Sequence, residues 1–292
     1  LVQEREYTNG SVSAGLLVRP AAANDNITFA FSLARAARNP ALEELFFFGT
    51  HHGNFAFEIG NPDLKSEHAL GLDASLRWRS GRASGEVTYF RNDISDYIFR
   101  NIIDEEEFED REDEFASRFP NRELPEPHDH SEEGGEAHEG EELAIVEFAG
   151  ADALLQGIEA HADLQVTNTL VAELGLDYVR GSLKTTDDAL PRIPPFRFRA
   201  GLRYQANALQ AGGEIAAVAT QDRVFGLEEP TDGYGLLKLF GSYSFQSGNA
   251  VSTLTLRLDN VTNELYRNHL SLIKAFVPEM GRNFKVLYNV RF

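Results

Sequence analysis

The chain closes on Asn283-Phe284-Lys285-Val286-Leu287-Tyr288-Asn289-Val290-Arg291-Phe292. Phe284, Val286, Tyr288, Val290 and Phe292 fall on one face; Asn283, Lys285, Asn289 and Arg291 fall on the other, with Leu287 the exception. Side chains along a strand point alternately to opposite faces, so this spacing predicts a strand whose apolar face runs unbroken to a terminal aromatic. A strand of a soluble sheet alternates too, so the rest of the chain must decide what that face meets.

Period-two alternation predicts about eleven strands, near residues 10–19, 27–34, 68–79, 83–99, 153–166, 170–182, 196–205, 211–222, 234–246, 251–259 and 282–292. The connections alternate between short (21–26, 80–82, 167–169, 206–210, 247–250) and long (about 35–67, 100–152, 183–195, 223–233, 260–281). Outer-membrane β-barrels have short periplasmic turns, longer extracellular loops and an outward apolar face edged with aromatics. Counted back from a last strand ending in the periplasm, every short turn falls on the periplasmic side. A soluble sandwich has no reason for such order. The expected fold is all-β, an antiparallel transmembrane β-barrel with long extracellular loops, its charged face turned to the lumen.

Composition supports this by exclusion. No stretch approaches the ~18–20 continuous apolar residues of a membrane helix, whereas a barrel strand needs only ~9–11 alternating ones. Cysteine is absent, which removes disulfides and thiolate metal sites. Leu1–Glu6 has neither a basic nor an apolar leader region, so an export signal would lie outside this sequence. The net charge of -19 is concentrated: residues 104–142 hold 18 of the 46 acids against Arg111, Arg118 and Arg122. No basic stripe exists to bind nucleic acid. There is no G-x-S-x-G, no H-E-x-x-H and no phosphate-cradling glycine loop, so neither an enzyme nor a resident cofactor is expected. An outer-membrane lipase would need a Ser–His pair on the barrel surface, and no convincing pair is present.

Several segments resemble the barrel of TonB-dependent outer-membrane receptors. Ile27 to Pro40 looks like a strand ending in that family's S-x-x-x-R-x-P-like corner, and Gly60-Asn61-Pro62-Asp63-Leu64-Lys65-Ser66-Glu67 matches its G-N-P-x-L-x-x-E lead-in to the next strand. Gln156-Gly157-Ile158-Glu159-Ala160 resembles its G-x-E strand. Asp259 to Tyr266 is similar to its N-x-x-N-x-x-Y segment, and Pro278 to Phe284 to its P-x-x-G-R-N-F lead-in to the last strand. The physical sense of these positions is structural, in turns and loop ends. The resemblance implies that residues 1–292 are the C-terminal part of a barrel of about twenty-two strands, with eleven to twelve strands here and no plug domain. The competing architecture is a complete small barrel of about twelve strands that uses Leu1–Tyr7 as another strand. The implied partners are outer-membrane lipid and lipopolysaccharide, and the TonB complex through an N-terminal part absent here.

Within 100–152, expected as one long extracellular loop, residues 120–142 carry too much charge and too little apolar surface to pack. The ordinary reading is a solvated acidic loop. The sharper one is metal capture, since imidazole and carboxylate are ligands for Zn²⁺ and also serve Ni²⁺, Cu²⁺ and Fe. His128 and His130 flank Asp129, with His138 or a Glu to complete the shell. His51 and His52 lie in the preceding long loop, with Glu44 and Glu58 near in sequence, and His269 makes a sixth histidine on that side. His68 and His161 fall within strands. Long loops rich in His and acid, with the ending from Tyr266 to Phe284, resemble the zinc-uptake subgroup of these receptors. Three functions are therefore weighed. The first is an outer-membrane transporter for zinc or another divalent metal. The second is a receptor of the same fold for a ferric siderophore or other bulky ligand, for which Phe46, Phe47, Phe48, Phe55 and Phe57 offer aromatic surface. The third is a non-transporting adhesin or structural barrel.

Overall fold

The structure is a computed structural model that describes residues 5–21, 26–51, 56–120, 122, 144–226 and 228–292. The chain divides into two compact units. The larger comprises residues 11–36, 69–93 and 153–292, and the smaller residues 1–10, 37–68 and 94–152.

The larger unit is an antiparallel sheet. The strands of the sheet, of which one end of each of β2, β5, β6 and β7 falls in the smaller unit, are β1 (Val12–Val18), β2 (Ile27–Arg38), β5 (Glu67–Ser80), β6 (Ala83–Ile103), β7 (Ala144–Gln165), β8 (Leu170–Leu183), β9 (Arg197–Ala206), β10 (Leu209–Val218), β11 (Tyr234–Ser247), β12 (Ala250–Asp259) and β13 (Asn283–Arg291). They hydrogen-bond in the order β1-β2-β5-β6-β7-β8-β9-β10-β11-β12-β13. All eleven strands expected from the alternation are present. Residues 5–11 add no further strand.

The register keeps like with like. Leu176 faces Phe198 and Ala172 faces Leu202, while Asp177 faces Arg197. On the polar face the strands are joined by ion pairs: Arg197–Asp177 at 2.9 Å, Arg203–Glu173 at 2.8 Å, Lys238–Glu214 at 3.4 Å and Lys285–Asp259 at 2.9 Å. The other face is open and apolar, with Leu174, Leu202 and Ile215 exposed to 51%, 54% and 60%. So broad an exposed apolar surface marks contact with lipid or another apolar phase. Tyr204, Tyr243, Phe245, Tyr288 and Phe292 edge it at the short-turn end, and Tyr178, Phe196, Phe198 and Phe284 toward the long-loop end. Aromatic rings at both borders are a feature of membrane barrels.

On the opposite face packing is close at one glycine of the G-x-E strand. A Cβ on Gly157 would lie 2.3 Å from Tyr178 O and 2.6 Å from the Phe90 ring, so only glycine fits between the neighbouring strand and that ring.

The smaller unit holds what the alternation did not predict. The connection expected at 35–67 contains α1 (Leu42–Phe46) and the hairpin of β3 (Phe48–His51) and β4 (Ala56–Ile59). The one expected at 100–152 is shorter than predicted, because β6 continues to Ile103 and β7 starts at Ala144. Within it, α2 (Glu105–Asp110) and α3 (Glu112–Arg118) fold the first part of the acidic run. β4 pairs in parallel with the start of β7, Ala56 opposite Ala144. Two small cores result. Phe48, Ile59, Ile103, Phe108 and Phe115 form one, with Phe57, Phe119 and Ile145 against it. Leu45, Leu64, Ile98 and Phe148 form the other, with Tyr7 and Phe46 against it. Each large apolar side chain so buried contributes about 1.5–3 kcal/mol relative to exposure. The seven-residue spacing of Phe108 and Phe115, two helical turns, was the available signal, and the surrounding acids masked it.

Candidate functional site

The candidate site is built on the acidic segment between β6 and β7. Asp104 starts α2 by accepting a hydrogen bond from Glu107 N at 2.8 Å. At the junction of α2 and α3, Arg111 reaches Glu107 at 3.0 Å, Glu114 at 2.9 Å and Glu147 of β7 at 2.9 Å. Its guanidinium also lies 4.7 Å from the centre of the Phe115 ring, a cation–π contact. Arg118 pairs with Glu114 and Glu147. Hydrogen bonding from Arg111 holds the Glu114 carboxyl below the usual carboxylate range, so it stays ionised at neutral pH.

Other bases of this unit are matched in the same way. Arg38 bridges Glu44 at 3.0 Å and Glu67 at 2.7 Å, and Arg100 holds the buried Glu58 at 3.0 Å. Thus Arg38, Arg100, Arg111 and Arg118 are each tied to carboxylates. Residues 104–118 still carry nine acids against two arginines. The field that this base presents is therefore negative.

The sequence-predicted ligands fare differently. His51 is exposed at the end of β3, its ring edge-on to Phe47 with centroids 6.1 Å apart. Glu44 and Glu58, its neighbours in sequence, are taken by Arg38 and Arg100 and do not join it. His52, His128, Asp129, His130 and His138 lie outside the described residues. Among the described residues no group of three His, Cys, Asp or Glu side chains is placed to hold a metal ion.

In the larger unit, sequence reasoning grouped His269 with the surface histidines, and the structure buries it. Its ring is 1% exposed, with Nδ1 3.0 Å from Thr231 Oγ1 and Nε2 3.2 Å from Glu228 Oε1, the latter at ionic distance but without hydrogen-bond geometry. Lys274, also buried, donates to His269 O at 3.1 Å and to Glu228 at 3.2 Å. Glu228 accepts Arg192 N at 3.0 Å on its other oxygen. Three long connections, 184–196, 219–233 and 260–282, are thus joined through one carboxylate. Burial, and the nearby Lys274 charge, push the His269 pKa below its ordinary value. With an ammonium already against both imidazole and carboxylate, this cluster is a cross-link and not a metal centre. The N-x-x-N segment that precedes it is a turn: Asn260 and Asn263 take φ of 50° and 57°, and the Asn260 side chain bonds both Glu264 N and O at 2.8 Å.

A sheet with one lipid-type apolar face, an ion-paired opposite face and structured long connections defines an outer-membrane barrel protein. The family model described as TonB dependent receptor-like, beta-barrel matches residues 2–263, and the chain belongs to that family. It is a protein of the bacterial outer membrane, and the family is one of receptors and not enzymes. Among curated proteins it is 25% identical over 283 residues to heme/hemopexin utilization protein C of Haemophilus influenzae, covering 89% of this chain and 35% of that protein. A stretch of 98 residues is 29% identical to lactoferrin-binding protein A of Neisseria meningitidis, covering 34% of this chain and 10% of that protein. The chain therefore spans about a third or less of these relatives. Among solved structures it resembles the copper transporter OprC, with a TM-score of 0.66, 23% identity and coverage of 90% of this chain and 36% of that one. The FrpB iron transporter of Neisseria meningitidis gives a TM-score of 0.62 at 17% identity, covering 95% and 38%.

Proposed function

We propose that the protein is a TonB-coupled outer-membrane receptor for uptake of a metal ion, zinc or another divalent cation, captured first by the acidic histidine segment between β6 and β7. The observation that carries this reading is the charge balance at the base of that segment. Arg111 and Arg118 are bound to Glu107, Glu114 and Glu147, so they do not offset the remaining acids. His128, His130 and His138, with Asp129, then supply nitrogen and oxygen donors inside a cation-attracting field. Capture of this kind is weak and multi-site, and it concentrates ions at the mouth of a channel. His51, exposed at the end of β3, and His52 beside it add donors from the neighbouring connection. Similarity to a copper and an iron transporter supports a metal as cargo. The choice of zinc rests on the loop composition and on the ending from Tyr266 to Phe284.

Isothermal titration of Zn²⁺, Cu²⁺ and Ni²⁺ into the intact purified protein tests the reading, against the His128→Ala, His130→Ala, His138→Ala triple variant. Binding by the wild type that is lost in the variant supports it, and unchanged affinity removes these histidines from the function.

The second reading, a receptor for a ferric siderophore, heme or other bulky chelate, draws support from the heme protein among the relatives. The aromatic surface that favoured it is less available than the sequence suggests. Phe48 lies in a core, Phe57 packs against that core, and Phe46 against the other. Phe55 lies outside the described residues.

A further inference from the structure

At the long-loop end of β8 and β9 the larger unit has a cleft of about 200 Å³. Tyr178 and Phe196 line it, their centroids 6.5 Å apart, and its polar lining includes Arg180, Arg223, Thr220 and Gln221. Among the described residues no acid contributes to the lining. Tyr178 sits opposite Ile158 and shares the apolar face on which Leu174, Ile158 and Phe198 are exposed, so the ring it contributes to the lining lies on the lipid side of the sheet.

The walls are held by backbone contacts. Arg223 donates to Gly181 O at 3.0 Å and Gln221 to Ile193 O at 3.0 Å. Asp187, at φ 59°, lies 3.3 Å from Arg180 and 3.4 Å from Arg223. Two guanidiniums thus share one largely exposed carboxylate at the rim.

Height decides what meets those guanidiniums. Leu170 lies opposite Tyr204, an aromatic of the lower border, and Arg180 is ten residues further along β8. At ~3.3 Å per residue and a tilt of ~40°, Arg180 stands about 25 Å above that border, the height of the apolar band of such barrels. The guanidiniums therefore emerge where hydrocarbon gives way to head groups. A planar guanidinium matches phosphate oxygens bidentately, and the two rings below offer a surface for acyl chain.

We propose that this cleft binds a phosphate of an outer-leaflet glycolipid, gripped by Arg180 and Arg223 with its acyl chains lying over Tyr178 and Phe196. This rests on the outer-membrane location and is independent of the metal reading. In the test, the intact protein in nanodiscs is offered bisphosphorylated or dephosphorylated lipid A, and retained lipid is read by native mass spectrometry. The wild type is expected to retain the phosphorylated form about tenfold better, the value of a charge-assisted hydrogen bond or two. Arg180→Gln should abolish that preference, and Arg180→Lys restore part of it. Arg180 is the informative position because Arg223 also anchors the loops. Equal retention of the two lipids by the wild type, which needs no variant, overturns the proposal. So does an unchanged preference in Arg180→Gln, or displacement of the lipid by inorganic phosphate at equal concentration, which would mark a soluble-anion site.

Discussion

Glu147 of β7, 7% exposed, accepts a hydrogen bond from Arg111 at 2.9 Å, and through it the acidic helices are fastened to the sheet strand that follows them. Arg118 meets the other oxygen of the same carboxylate. In Glu147→Gln two partly buried guanidiniums lose their shared anion. We expect a local cost of about 1–3 kcal/mol, below the figure for a fully buried pair because both arginines keep some solvent. Hydrogen exchange should accelerate over 104–118 and stay unchanged over 197–218, whereas uniform exchange would remove the fastening role.

Phe115 is 0% exposed and stacks on Phe108 with centroids 5.4 Å apart. Phe115→Ala removes the ring from that core and its contact with Arg111. A cost of about 3–5 kcal/mol is expected, more than two short helices can absorb. Limited proteolysis should then cut within 104–118 at protease levels that spare the wild type.

The His269 cluster should respond to acid. Its folded pKa is depressed below the ordinary histidine value, so the unfolded state binds the proton more readily. The stabilisation is therefore complete above about pH 6.5 and is lost as pH falls from there through the depressed folded value. Protonation turns Nδ1 into a donor facing the Lys274 ammonium at 3.4 Å. Corrected for the intrinsic pH dependence of amide exchange, protection over 264–277 should fall as pH goes from 7.5 to 5, and His269→Gln should flatten that dependence. An equally steep dependence in the variant would assign it elsewhere.

Gly157 has no room for a methyl group between Tyr178 O and the Phe90 ring. Gly157→Ala should cost about 1–3 kcal/mol through overpacking and strand displacement. The check is heat-dependent gel mobility of the membrane-inserted protein, with the variant unfolding at lower temperature than wild type.

Much of the fold was legible because the signal is local. Leu70, Leu72, Ala74 and Leu76 alternate with Gly71, Asp73 and Ser75 whatever lies beside them, and β5 forms there. Short apolar runs inside acidic sequence were not legible. Ala144-Ile145-Val146 begins β7 only because Ala56-Phe57-Glu58 pairs alongside it, some ninety residues away in sequence. The metal-ligand reading could be written from residue types, yet Glu44 and Glu58, placed with His51 by sequence proximity, are held by Arg38 and Arg100.

By itself, then, the sequence determined the positions of the eleven strands of the main sheet path, the order of short and long connections, and the receptor family, all carried by period-two spacing and short turn motifs. Only the tertiary structure decided which charges meet: Glu147 with Arg111 and Arg118, His269 with Glu228 and Lys274, and Arg180 with Arg223 across a shared Asp187. The physical reason is register. Alternation says which face a side chain takes, but the partner it finds depends on how strands and loops distant in sequence are aligned, and no local pattern records that alignment.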